Sequence, residues 1–143
     1  MIKNLEDIQD MWREDSVIDD VLLDEASLKI PRLHSKYIDL LNEYTLLSKK
    51  AKQESKKAKH IKTLYYSGKA LPEEYEEEPF NYKVSRGDVP NWVSVDDEVM
   101  KIEMKIEYYQ TVIDMLSDIL RQIHQLSFNI KNTIEWRRFT SGV

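Results

Sequence analysis

From Leu23 to Tyr65 the apolar residues keep a heptad beat, and nothing else in the chain restricts its fold as strongly. Leu23, Ala26, Ile30, Leu33, Tyr37, Leu40, Tyr44, Leu47, Ala51, Ala58, Ile61 and Tyr65 alternate spacings of three and four. Glu54 is the one charged occupant of that series. A stripe held over several heptads calls for a long helix that buries a seam against another helix. Pro31 leaves two arrangements open: a kink within one helix, or a helix that starts near Ile30 with proline in its first turn. The stripe runs unbroken through Ile30, which favours the kink.

The helix is expected to stop at Ser67-Gly68, because Gly68 can take the left-handed C′ position without a Cβ penalty. The stretch that follows, LPEEYEEEPFNYKVSRGDVPNW, changes character. Five glutamates fill the six positions Glu73 to Glu78, followed by Pro-Phe, an Arg-Gly-Asp turn and another proline. It reads as an acidic linker over 68–93, with a weak strand signal around Tyr82 to Val84. A second helix is predicted over 94–139, with Ser94 as N-cap, Asp97 closing a capping box and Asp96 adding charge at the positive helix end.

Its heptad reads Val99, Ile102, Ile106, Tyr109, Ile113, Leu116, Leu120, Ile123, Ser127, Ile130 and Ile134. Met104, Tyr108, Val112, Met115, Ile119 and Leu126 widen the apolar face beyond what one partner helix covers. Packing between two layers of helices follows, at least one of them expected from another copy. Isoleucine at both alternating positions points the same way, toward higher-order assembly. At about 1.5 Å per residue each long helix would reach roughly 60 Å. The expected fold is therefore all-α: a single helical domain, 1–143, with two long helices over 22–67 and 94–139. An antiparallel hairpin is the simplest arrangement, with a short acidic helix over 4–13 that puts Ile8 and Trp12 on one side. Assembly into a ring or bundle oligomer is expected.

Composition narrows the chemistry. The chain has 143 residues, 33% of them charged, and no cysteine, so disulfides and thiolate chemistry are out of reach. The N-terminus, MIKNLEDIQDMW, lacks the apolar core of a secretory signal, and no apolar run is long enough to span a membrane. A soluble, intracellular protein is expected. His34, His60 and His124 fall in no metal-ligand spacing, and no glycine-rich phosphate loop is present. Adjacent acids such as Asp19-Asp20 and Asp96-Asp97 do not converge on one point of a helix. Catalytic residues, a metal and a cofactor are all expected to be absent.

One local anomaly remains. Lys49 to Lys62, KKAKQESKKAKHIK, carries seven lysines and His60 against one acid, in a chain of net charge -5. On a helix Lys49, Lys52, Lys56, Lys59 and Lys62 form one ridge, flanked by Lys50 and Lys57 and facing away from the heptad. Lysine suits backbone phosphates better than bidentate base reading, so the ridge implies salt-sensitive, sequence-independent binding of a polyanion. The plain alternative is a solvated lysine face paired with glutamates of a neighbouring subunit. Tyr66 and Lys69 follow, and Tyr66, outside the seam, is placed to stack a base. Near the C-terminus Lys131, Arg137 and Arg138 either join the phosphate track or, for the arginines, cap the helix's negative end. Trp136 and Phe139 beside them read as packing or interface residues ahead of stacking platforms.

Four segments carry a resemblance. NLEDIQDMWREDSVID at Asn4 to Asp19, LHSKYI at Leu33 to Ile38, YYSGK at Tyr65 to Lys69 and SFNIKNTIEWRRFTSG at Ser127 to Gly142 resemble, in that order, the UvsY family of phage recombination mediators. The resemblance implies a protein of the infected host's cytoplasm that binds single-stranded DNA and assembles as a hexamer or heptamer. It further implies partnership with a RecA-like recombinase, loaded onto DNA held by a single-strand-binding protein. The family's DNA-binding basic residues fall here on His60 and Lys62, with His60 standing where a lysine-type charge is usual. The oligomerisation region corresponds to Ile123 to Phe139, continuing the face of Ile113, Leu116, Leu120, Ile130, Ile134 and Trp136. Pro31 departs from the continuous helix the family implies. The competing class is a coiled-coil structural or adaptor protein that binds only proteins.

Overall fold

The computed structural model describes residues 2–142. The chain is all-helical: α1 (Leu5–Asp15), α2 (Leu23–Tyr66), α3 (Pro72–Glu77), α4 (Val89–Ser94) and α5 (Asp97–Thr140), with no strand among the described residues. The strand signal at Tyr82 to Val84 is thus not realised. Pro31 lies inside α2, so a helix beginning near Ile30 is excluded. The chain divides into two compact units, one taking in the residues up to Tyr44 and from Thr111 onward, the other Thr45–Gln110. Both long helices pass through both units.

In the first unit, α1 opens on a reciprocal capping box. The Asn4 side chain accepts from the Asp7 amide at 2.8 Å, and the Asp7 carboxylate accepts from the Asn4 amide at 3.2 Å. Ile8, Tyr37, Val112, Leu116, Ile119 and Ile123 are buried and form the centre of the unit. Trp12 meets the Tyr37 ring edge-on, with centroids 5.5 Å apart. The Tyr37 hydroxyl donates to Asp15 Oδ2 at 2.8 Å, and Lys36 pairs with the same oxygen at 2.7 Å.

In the second unit, α2 and α5 run antiparallel, as their cross-helix pairs show. Glu54 meets Lys105, Ser55 and Lys59 meet Glu103, and Lys62 meets Glu98. The seam is lined by small or polar residues, with Ser48, Ala51 and Ser55 buried. Here the helix departs from the heptad, which assigned the inner positions to Glu54 and Ile61. Ile61 is 53% exposed, and Ser55 and Lys62 take the inward places. A helix of 3.6 residues per turn drifts by about 20° per heptad against a 3.5-residue repeat, and small side chains let the seam follow that drift.

α2 ends as its glycine demands. Gly68 has φ +75°, its amide donates to Tyr65 O at 3.2 Å, and the Lys69 amide donates to Leu64 O at 2.9 Å. This paired pattern is the Schellman motif. The following segment is more than an acidic linker, because α3 and α4 form within it and aromatic rings pack it against the end of α2. Tyr65 stacks on Tyr75 at 5.3 Å, while Phe80 contacts Tyr65, Tyr66 and Trp92. The Tyr75 hydroxyl donates to Tyr65 O, and the Tyr65 hydroxyl to Glu78 O.

The start of α5 also differs from expectation. Ser94 ends α4, and its hydroxyl donates to Asn91 O at 2.7 Å. Asp96 is the N-cap: Oδ1 accepts from the Glu98 and Val99 amides at 3.0 and 3.2 Å, and its carbonyl accepts from Met100. Pro90, preset for a first helical turn, nucleates α4 across the position assigned to the cap.

Candidate nucleic-acid interface

Lys49, Lys50, Lys52, Lys56, Lys57, Lys59 and His60 are exposed along one stretch of α2, with Ala51, Ser55 and Ala58 turned inward behind them. The inward residues are small enough for α2 to pack closely, so the lysines stand on a supported helix. Among the described residues Lys49, Lys50, Lys52, Lys56 and Lys57 have no ion pair, whereas Lys59 pairs with Glu103 at 2.9 Å. Glu103 lies below its ordinary carboxylate range because the Ser55 hydroxyl and the Lys59 amine both bond to it, against a smaller opposing effect of burial.

Lys62 departs from the exposed ridge. Only 15% of its side chain is exposed, and its amine lies 3.5 Å from Asp96 Oδ2 and 3.3 Å from Glu98 Oε2. Burial opposes its charge, but the bond to Glu98 and the fields of Asp96, Glu98 and Glu78 outweigh it and raise its pKa. Tyr66 is also held. Its hydroxyl donates to Asp96 Oδ2 at 2.7 Å, and its ring packs among Tyr65, Phe80 and Trp92. Burial and the Asp96 bond both raise its pKa. For Asp96, burial alone would raise the carboxyl. The Tyr66 hydroxyl, the Val99 and Glu98 amides and Lys62 together bring it below its ordinary value.

Lys69 is exposed and lines a groove with Lys59, Arg86 and the valines of α4. Lys131, Arg137 and Arg138 are exposed on the part of α5 that belongs to the other unit, where Arg137 reaches Asp20 O and, at 3.8 Å, Asp20 Oδ2. Of the expected oligomerisation residues, Leu116, Ile123 and Ile130 are buried within their own unit, and Ile113 and Leu120 are half-buried. Ile134, Trp136 and Phe139 are exposed, the two aromatic rings stacked at 6.0 Å. Among the described residues no set of His, Asp and Glu side chains gathers as a metal site, and no helix is long and apolar enough to cross a membrane.

Residues 11–143 match the family described as "Recombination, repair and ssDNA binding protein UvsY". The chain belongs to the UvsY family. This bears out the resemblance carried by the four ordered segments. The "Recombination protein uvsY" of Enterobacteria phage T4 is 26% identical over 141 residues, covering 96% of this chain and 98% of that protein. A crystal structure of the bacteriophage T4 recombination mediator protein UvsY superposes with TM-score 0.86 at 23% identity, covering 97% of this chain and 98% of the other. A second crystal lattice of it gives 0.84 at 22% identity, over 94% and 98%. These likenesses establish the UvsY fold, which the described residues of this chain build from two long helices and three shorter ones.

Sequence reasoning missed Arg86 and read Asp96 only as charge at the positive end of the second helix. Its roles as the N-cap itself, as counter-ion to Lys62 and as acceptor for Tyr66 become visible once Pro90 has taken Ser94 into α4 and α2 lies beside it. The signal for the groove was the Val89-Pro90 and Val93 spacing, which puts two valines on one side of a helical turn.

Proposed function

We propose that this UvsY-family protein is a recombination mediator that holds single-stranded DNA without sequence preference on the exposed lysines of α2. The observation that carries the reading is the run of Lys49, Lys50, Lys52, Lys56 and Lys57, exposed and without ion pairs among the described residues, in a chain of net charge -5. Amines on flexible stems match phosphates at any base sequence, and each one engaged releases condensed counterions. In the other unit Lys131 and Arg138 are exposed cations open to phosphate, whereas Arg137 is held by Asp20.

Assembly multiplies this weak binding. The exposed Ile134, Trp136 and Phe139 are suited to contact another copy, and a hexamer or heptamer would present as many lysine ridges to one strand. A strand held across several ridges keeps its bases free of a competing single-strand-binding protein and open to a RecA-like recombinase, in the cytoplasm of the infected host. No step requires bond chemistry.

The test is a titration of labelled oligothymidylate at two salt concentrations, with oligomer mass measured alongside. Replacing Lys49, Lys52, Lys56 and Lys57 by alanine should cut affinity and flatten the salt slope by about 0.7 for each phosphate no longer neutralised. Unchanged affinity in an intact oligomer would favour the protein-only adaptor reading.

A further inference from the structure

The second unit carries a groove of about 850 Å³ between the end of α2, the loop before α4 and α4 itself. That lies within the size range of ligand-binding clefts, about 300–1,000 Å³. Its floor is apolar, from Val84, Val89 and Val93, and its rim carries Lys59, Lys69 and Arg86. Among the described residues no carboxylate lines it, although the unit is rich in acid elsewhere; Glu78, Asp96, Asp97 and Glu98 line a different hollow. Lys69 and Arg86 have no ion pair among the described residues. The lysine ridge runs straight into this groove: Lys52, Lys56, Lys59, Thr63 and Ser67 follow one another at helical spacings of three and four, and the last three line it.

An apolar floor under a rim of cations fits a ligand that is flat and apolar on one side and anionic at its edge. A nucleotide has that form, and a strand tracking the ridge would deliver one there. We propose that the groove receives an unstacked nucleotide of the bound single strand, its base over Val84, Val89 and Val93 and its phosphate between Lys69 and Arg86. This rests on the strand-binding reading above and adds to it a subsite that senses bases. Lys59, now on Glu103, can exchange that carboxylate for the incoming phosphate.

The experiment compares oligothymidylate with an abasic phosphodiester of equal length, on the full-length protein. Replacing Lys69 and Arg86 by alanine should weaken thymidylate binding on the order of tenfold and the abasic polymer by no more than about threefold, because a strand with no base to seat over the valines is not drawn between these two cations. Val84→Ser should likewise affect thymidylate alone, with helicity unchanged by circular dichroism. Equal losses on both polymers, or none on either, would overturn the subsite. So would a glutamate–leucine peptide that depends on Lys69 and Arg86 while thymidylate binding does not, since the groove would then be a peptide site. A Lys52, Lys56 and Lys57 to alanine variant separates the two readings. If it leaves both polymers bound as before, the strand-binding reading fails; if it weakens both and the groove variants do not discriminate, only the subsite fails.

Discussion

The Lys62 amine lies 3.5 Å from Asp96 Oδ2, and the two side chains are 15% and 8% exposed. This pairing takes Lys62 out of the lysine ridge to which its spacing assigned it and makes it a clasp between α2 and the start of α5. Removing Lys62 leaves the Asp96 charge to the Tyr66 hydroxyl and two amides alone, and removing Asp96 leaves Lys62 to Glu98 alone, which is costlier than losing an exposed pair.

Lys62→Ala and Lys56→Ala should therefore differ in kind. Lys62→Ala should lower the stability of the fold by roughly 1–3 kcal/mol in urea unfolding. Lys56→Ala should stay within about 0.5 kcal/mol of the parent while losing strand affinity and salt slope. Equal stability in the two variants would contradict the clasp.

Asp96 joins three interactions, and its variants should rank accordingly. Asp96→Ala removes the cap, the Lys62 counter-ion and the Tyr66 acceptor together, for a loss of about 2–4 kcal/mol. Asp96→Asn keeps an oxygen for the cap and should fall between alanine and the parent. Tyr66→Phe removes one hydrogen bond to a charged group and should cost about 1–3 kcal/mol. Thermal unfolding of the three variants checks the order.

The same cluster sets a pH dependence with two edges. Asp96 is held below its ordinary value of 3.8, so the unfolded chain binds that proton more tightly than the folded one. The stability it contributes is present above the ordinary value and is lost as pH falls through the lowered one. Lys62 is raised above 10.5, so its contribution is complete below that pH and is lost as pH rises through the raised value. The stability gap between parent and Asp96→Asn should thus be widest near neutrality and narrow toward about pH 2. A gap that stays constant into acid would refute the assignment of the shift to this carboxylate.

How far these features could be read in advance depends on their range. The two long helices were legible because their apolar beat spans many turns, and the stop at Gly68 because one residue type satisfies that backbone geometry. The Lys62 clasp was not legible, since a heptad written through Glu54 and Ile61 places Lys62 outside, and only the drift of the real helix turns it in. Ser94 lost the cap to Asp96 because Pro90 starts a separate turn, a competition between neighbouring signals that pattern alone does not rank. The aromatic packing of Phe80 and Trp92 on Tyr66 joins residues distant in sequence, beyond the reach of any local rule.

The C-terminal turns of α5 separate the residues packed within their own unit from those left for the proposed assembly. Leu116, Ile123 and Ile130 are buried in their own unit, whereas Trp136 and Phe139 are 65% and 76% exposed and stack on one another. Two large aromatic side chains left in water gain most by meeting a second apolar surface, as aromatic residues do at interface centres. Trp136→Ser with Phe139→Ser should therefore reduce the mass of the assembly in analytical ultracentrifugation while leaving helicity and thermal unfolding close to the parent. Ile123→Ser, inside the unit, should do the reverse and destabilise the fold by about 2–5 kcal/mol through cavity formation and a buried hydroxyl. If the serine pair left the assembly mass unchanged, the interface between copies would have to be sought on another face. Strand affinity offers an independent check, because loss of assembly should weaken binding to long oligothymidylate far more than to a strand short enough for one ridge.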